Sequence, residues 1–163
     1  MPVAYINIGS NQGDRRANIA RAVALVADML HVSPTLSTIV ESEPWGYDSD
    51  SPYLNVGASF DTQLSPGELL DALLSVEKSI SPSSHRTADG TYADRIIDID
   101  LIACGDTLLA DAITPAGALL TLPHPRMHLR TFVLEPMAEL APNWVHPLLK
   151  LTPSDMLKSL AHR

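Results

Sequence analysis

Between Arg95 and Ile102 the chain reads RIIDIDLI. Two aspartates stand inside an otherwise apolar run, which few local structures accommodate. In a β-strand, residues i and i+2 share a face. Asp98 and Asp100 then point the same way, roughly 7 Å apart along the strand. Ile97, Ile99 and Leu101 point the other way, into a core. A buried carboxylate is costly unless it is paired, protonated or metal-bound, and two on one face repel unless a cation joins them. Magnesium suits the pair, since it takes oxygen ligands and is often held by one or two carboxylates plus phosphate oxygens. The plain alternative is a pair decorating the solvated face of an antiparallel sheet, which is common. Two features favour the metal. Arg95 stands just before the strand, where a phosphate would meet its guanidinium. The polar stretch before it, Ser81 to Asp94, is long enough to close over a ligand.

The rest of the chain supplies partners for this strand. Val3 to Ile8 (VAYINI) reads as a strand ending in a Gly9-Ser10-Asn11 turn. Asp14 is placed to cap a helix carrying Ile19, Val23, Val26 and Leu30. Val32 to Val40 reads as one strand, weakened by Pro34, and Glu41 to Pro52 as a loop. Tyr53 to Phe60 alternates like a half-buried strand. Ser65-Pro66-Gly67-Glu68 is a capping-box helix start, followed by Leu69, Leu73, Val76 and Ile80 on one face. After the Ile96–Ala103 strand come short strands and turns to Leu122, then a rigid Leu122–Arg126 turn. A short helix is expected over Met137–Leu140, with Pro136 at its start. A last helix, Pro153–Leu160, has Thr152 as its cap. The order is βαββαβ with a C-terminal extension, the ferredoxin-like α+β sandwich: an antiparallel sheet with helices packed on it.

Length and charge narrow the field. At 163 residues the chain makes one domain, 1–163, with no linker or repeat. A net charge of -8 makes a poor generic binder of nucleic acid or membrane. Its few cations nevertheless gather: Arg86, Arg95, Arg126 and Arg130 lie near His85, His124 and His128. The single cysteine, Cys104, suits a reducing compartment. The start MPVAYINIGSN lacks a signal-peptide pattern, and no apolar run reaches the roughly 18 residues of a membrane span. A cytoplasmic protein is expected, standing alone rather than as part of a fusion. Gly9-Ser10-Asn11-Gln12-Gly13 lacks both the Lys-Ser/Thr pair of a phosphate loop and the dinucleotide-binding glycine spacing. It is read as a structural turn.

Taken singly, several residues have ordinary structural explanations. Tyr53 and Phe132 could be core aromatics, and Trp45 a surface loop aromatic. Asn55 could pair a neighbouring strand, and His124 could cap a turn. Arg130 could form an exposed ion pair of little value. Glu77 could be a solvated helix residue. Trp144 and His146 read as packing.

Taken in order, the motifs resemble those of the 6-hydroxymethyl-7,8-dihydropterin pyrophosphokinases of folate synthesis. The resemblance covers nearly the whole chain. It rests on VAYINIGSNQG, on Tyr53-Leu54-Asn55, on the R-x-x-D-x-D pattern of Arg95, Asp98 and Asp100, and on Leu122-Pro-His124-Pro-Arg-Met127 followed by Arg130, Phe132-Val-Leu and Pro136. It implies transfer of pyrophosphate from ATP to the pterin hydroxymethyl group, releasing AMP. Asp98 and Asp100 would hold two magnesium ions. Arg95 and Arg86 would join them in catalysis and bind phosphates, as would His124 and Arg130. Glu77, Tyr92, Ile99 and Thr121 would complete the ATP site. Tyr53 and Phe132 would sandwich the pterin, Asn55 would bond its edge, and Ser42, Trp45 and Asp98 would border it. ATP and the pterin are the expected partners of a monomer or weak homodimer.

Phosphoryl-type transfer needs positioning and charge neutralisation, which these residue types supply. The chain departs from the family in four places. Ser83-Ser84-His85-Arg86 has one arginine where many members have two. Tyr92 replaces the commoner Trp. Pro125 stands where a Tyr is frequent, and Ser42-Glu43-Pro44-Trp45 replaces a Thr-Pro-rich version. A non-catalytic ferredoxin-like ligand-binding module and a different magnesium phosphotransferase are the rival readings.

Overall fold

The computed structural model describes residues 1–42, 52–81 and 96–162. Strand β1 (Val3–Ser10) turns into helix α1 (Arg15–Leu30), whose start is capped by Asp14 accepting from Ala17 N at 3.1 Å. Two short strands follow, β2 (Thr35–Leu36) and β3 (Val40–Ser42), then β4 (Tyr53–Asp61). Helix α2 (Pro66–Ile80) opens with the full capping box of Ser65 and Glu68. Beyond it lie β5 (Asp98–Cys104), the hairpin of β6 (Leu109–Ile113) and β7 (Leu119–Leu122), and helices α3 (Thr131–Leu140) and α4 (Pro153–Ala161). Thr152 and Asp155 cap α4 reciprocally.

The sheet runs β2–β4–β1–β5, antiparallel throughout, with β3 continuing the β2 edge along β4. This is the ferredoxin-like arrangement. One face carries the alternating Ala4, Ile6 and Ile8 of β1, with Val56, Ile99 and Leu101, packed on Ile19, Ala22 and Val26 of α1 and Leu69, Leu73 and Val76 of α2. All are buried. The C-terminal extension covers the other face with a second core of Ile102, Met127, Val133, Leu134, Met137 and Met156. Ile102 lies on this face by the same alternation as Asp98 and Asp100, and the β1–β5 register shifts beside it, leaving it unmatched in β1 and turning Cys104 to the first core. The Ile102 carbonyl accepts from His124 N at 2.8 Å, which ties the 122–126 turn to the sheet.

Two expectations need correcting. The single strand over Val32–Val40 is two, because Thr38 leaves the ladder. Its backbone N–H and hydroxyl both donate to the Glu139 carboxylate, at 3.0 to 3.1 Å. The pairing then resumes through Ser42, inside the stretch read as loop. Helix α3 begins at Thr131 rather than Met137, so Pro136 lies inside it. A proline within a helix removes the hydrogen bond to the carbonyl four residues back, here Phe132. The Asn7 side chain supplies the missing donor, its Nδ2 lying 3.0 Å from the Phe132 carbonyl. At Pro136 the helix also comes very close to the sheet: a Cβ on Gly57 would stand 2.6 Å from the Pro136 Cβ.

Candidate active site

The face under α3 is organised in two rows. Asn55, Gly9 and Asp98 are register partners across β4, β1 and β5, and Gly57, Asn7 and Asp100 form the next row. Directly opposed residues of antiparallel strands share a face. Asp98, Asp100, Asn55 and, two residues before Asn55, Tyr53 therefore belong to one surface. The intervening Ile97, Ile99 and Leu101 are buried on the other, while both aspartates are half-buried. This is the alternation read from the sequence.

Gly9 matters here for its lack of a side chain. A Cβ at this position would stand 2.8 Å from Asn55 Oδ1 and 3.2 Å from Tyr53 Cδ1. Gly9, read from the sequence as part of a turn, lies within β1 and lets an amide and an aromatic ring close over that strand. Asn55 is buried, and its Nδ2 donates to Ser42 Oγ at 2.8 Å. That contact supports the ordinary reading of Asn55 as a strand-pairing residue, and it also brings Ser42 to the site face.

Arg130, at the start of α3, approaches from above. Its guanidinium lies 3.7 Å from Asp100 Oδ2, with the arginine side chain 14% exposed and the aspartate 28%. The guanidinium carbon is 5.7 Å from the Phe132 ring centroid, within cation–π range. Arg130 is thus no exposed ion pair. It joins the carboxylate row to the aromatic ring.

Glu77 is not a solvated helix residue either. It is 8% exposed, and its Oε2 accepts from the backbone N–H of Ile99, the residue between the two aspartates. Thr121 on β7 accepts from Asp111 N at 3.1 Å. His124 Nδ1 accepts from Arg126 N at 3.2 Å, so it does cap its turn. Thr121 and His124 border a cavity of about 460 Å³ walled by Leu109, Leu122 and Pro123 among others. The His124 imidazole is held down to about 4, first by burial, then by the charges of Arg130 and Arg126. It is neutral at physiological pH. Trp144 and His146 are packing residues as expected: their rings meet at 5.7 Å, and Trp144 Nε1 donates to Gly105 O.

Trp45, His85, Arg86, Tyr92 and Arg95 lie outside the described residues. Among the described residues, no group of three or more His, Cys, Asp and Glu side chains could hold a metal ion. The donors on this face are two half-buried carboxylates. Such a hard-oxygen set fits magnesium that takes its other ligands from water and phosphate. Asn7 was not singled out from the sequence. Its only signal was an amide placed among the apolar residues of β1, on the side facing Asp100.

The ferredoxin-like sheet thus presents two carboxylates and a guanidinium beside an amide and aromatic rings on one face. The family follows from comparison. The model of the 7,8-dihydro-6-hydroxymethylpterin-pyrophosphokinase family matches residues 5–142, and the chain belongs to that family. A 2-amino-4-hydroxy-6-hydroxymethyldihydropteridine pyrophosphokinase of Porphyromonas gingivalis is 33% identical over 147 residues, covering 90% of this chain and 95% of the relative. A protein of the same name from Bacillus subtilis is 36% identical over 139 residues, covering 85% and 77%. Among solved structures, the wild-type Plasmodium falciparum HPPK-DHPS with pteroate superposes with a TM-score of 0.75 at 13% identity, which speaks to the fold. The match covers 99% of this chain and 43% of that longer one. Among the described residues, no helix is long and apolar enough to cross a membrane.

Proposed function

We propose that this chain transfers the terminal pyrophosphate of ATP to 6-hydroxymethyl-7,8-dihydropterin. The hydroxymethyl oxygen bonds to the β-phosphorus as that phosphorus parts from the oxygen bridging it to the α-phosphate. AMP leaves with the bridging oxygen, the pterin carries the diphosphate, and the hydroxyl proton goes to solvent. The observation that carries this reading is the shared face: Asn55 and Asp98 stand in one row of the sheet, and Asp100 in the next.

The residues divide the work. Tyr53 and Phe132 sandwich the pterin ring, and Asn55, with Ser42 behind it, reads its donor and acceptor edge. An amide fixed by packing rejects rings that leave it unpaired. Asp98 and Asp100 hold two magnesium ions, which when bound neutralise the charge of the ATP phosphates. Arg130 binds the same phosphates from the side of Asp100. A neutral His124 offers a hydrogen bond without adding a cation, and Thr121 stands with it at the nucleotide. Ile99 lies under the nucleotide, with its peptide fixed by Glu77. Arg86, Tyr92, Arg95 and Trp45 complete the ATP and pterin contacts in this reading. The chain works as a monomer or weak homodimer in the cytoplasm. Its charge of -8 supports the absence of a nucleic-acid or membrane partner.

Calorimetric titration tests the reading. The pterin should bind in the presence of magnesium and a non-hydrolysable ATP analogue, and Phe132→Ala should weaken it at least about tenfold. Unchanged binding in that variant would remove Phe132 from the pterin site. Pterin binding by a chain that never releases AMP would instead favour the non-catalytic ligand-binding module.

A further inference from the structure

Asn7 stands between the two halves of this site. Its register partners are Gly57 on β4 and Asp100 on β5, and it is 4% exposed. Its Nδ2 donates to the Phe132 carbonyl at 3.0 Å, bridging 125 residues of sequence. That carbonyl is the one that Pro136 deprives of a donor within the helix. A carbonyl buried without a donor is costly, so the amide fixes the first turn of α3 against β1. Phe132 belongs to that turn. The next contact along the helix is also tight, since a Cβ on Gly57 would stand 2.6 Å from the Pro136 Cβ. Helix α3 is therefore seated on β1 and β4 at two adjacent points, a hydrogen bond from Asn7 to the Phe132 carbonyl and the close approach of Pro136 to Gly57.

We propose that Asn7 is a positioning residue. By holding the Phe132 backbone it fixes the Phe132 ring over the site face, and so it sets affinity for the flat heterocycle rather than the rate of transfer. The inference rests on the reading of Phe132 as a stacking partner. It also has an internal check. Replacing Pro136 by alanine restores an N–H to residue 136, which can then serve the Phe132 carbonyl and make Asn7 dispensable.

The experiment is steady-state kinetics with hydroxymethyldihydropterin and Mg-ATP on the wild type, Asn7→Ala, Pro136→Ala, the double variant and Phe132→Ala. Asn7→Ala should raise KM for the pterin about fivefold, the size of one net hydrogen bond. Its kcat and its KM for ATP should stay within about twofold. The double variant should match Pro136→Ala. If Asn7→Ala does not fold, that last comparison decides alone: equal pterin KM supports the inference, and a raised KM or loss of folding overturns it. An unchanged pterin KM in Asn7→Ala, beside a raised one in Phe132→Ala, also overturns it while leaving the stacking reading intact. So does a rise in the single variant that the second substitution fails to reverse, because general loosening of the sheet would produce it. If Phe132→Ala leaves the pterin KM unchanged, the stacking reading fails and the inference falls with it.

Discussion

The carboxylate of Glu77 accepts the backbone N–H of Ile99 at 2.9 Å. Ile99 is the residue between Asp98 and Asp100, so a helix on one side of the sheet holds the peptide from which both aspartates project on the other. The bond is buried and charge-assisted. Glu77→Ala should cost about 2 kcal/mol of stability, read from the urea midpoint, and should lower kcat as well. Glu77→Gln keeps an acceptor oxygen and should recover most of both. Equal losses in the two variants would mean that the charge, rather than the hydrogen bond, is what counts.

Gly9→Ala places a Cβ where Asn55 Oδ1 and Tyr53 Cδ1 now stand, at 2.8 and 3.2 Å. Both side chains must give way. The expected result is a pterin KM raised about tenfold, with the KM for ATP nearly unchanged. A parallel rise in both would show that the whole sheet had shifted.

Gly57→Ala meets the Pro136 Cβ at 2.6 Å. Neither the β4 backbone nor a proline ring yields easily. Overpacking of this kind costs about 1–3 kcal/mol, and thermal unfolding should report it as a lowered Tm. Because α3 carries Phe132, pterin affinity should fall too. A variant as stable as the wild type would place the helix farther from the sheet.

His124 makes stability depend on pH. Its imidazole is held down to about 4 by burial, then by Arg130 and Arg126, against 6.5 for an unperturbed histidine. Between these values the unfolded chain binds a proton that the folded one does not, so stability rises with pH there. It is lost as pH falls from about 6.5 to about 4, by at most about 3 kcal/mol from this group. His124→Asn should flatten that slope in urea melts taken between the two values. An unaltered slope would mean that the histidine titrates normally.

Much of this was legible in the sequence, because the signals are local. The capping patterns at Ser65–Glu68 and Thr152–Asp155 lie within one helical turn, and the alternation around Asp98 and Asp100 has a period of two. What was not legible depends on partners distant in sequence. Pro136 reads as a helix start until Asn7, far upstream, is seen serving the carbonyl that the proline leaves bare. The break in the edge strand at Thr38 is set by Glu139, 101 residues away. The approach of Arg130 to Asp100 follows from the packing of α3 on the sheet, which no spacing encodes. Asn7 is a lone amide within β1 whose partner, the Phe132 carbonyl, lies 125 residues away.

The most direct test of the central claim is AMP release from Mg-ATP, with and without 6-hydroxymethyl-7,8-dihydropterin, in the wild type, Asp98→Ala and Asp100→Ala. The account predicts pterin-dependent AMP in the wild type. It predicts a loss of at least about a thousandfold in either variant, with the fold retained by circular dichroism, because the pair sits half-exposed on a sheet face and adds charge rather than packing. Wild-type AMP release that persists in both variants, or the absence of pterin-dependent AMP altogether, would contradict it.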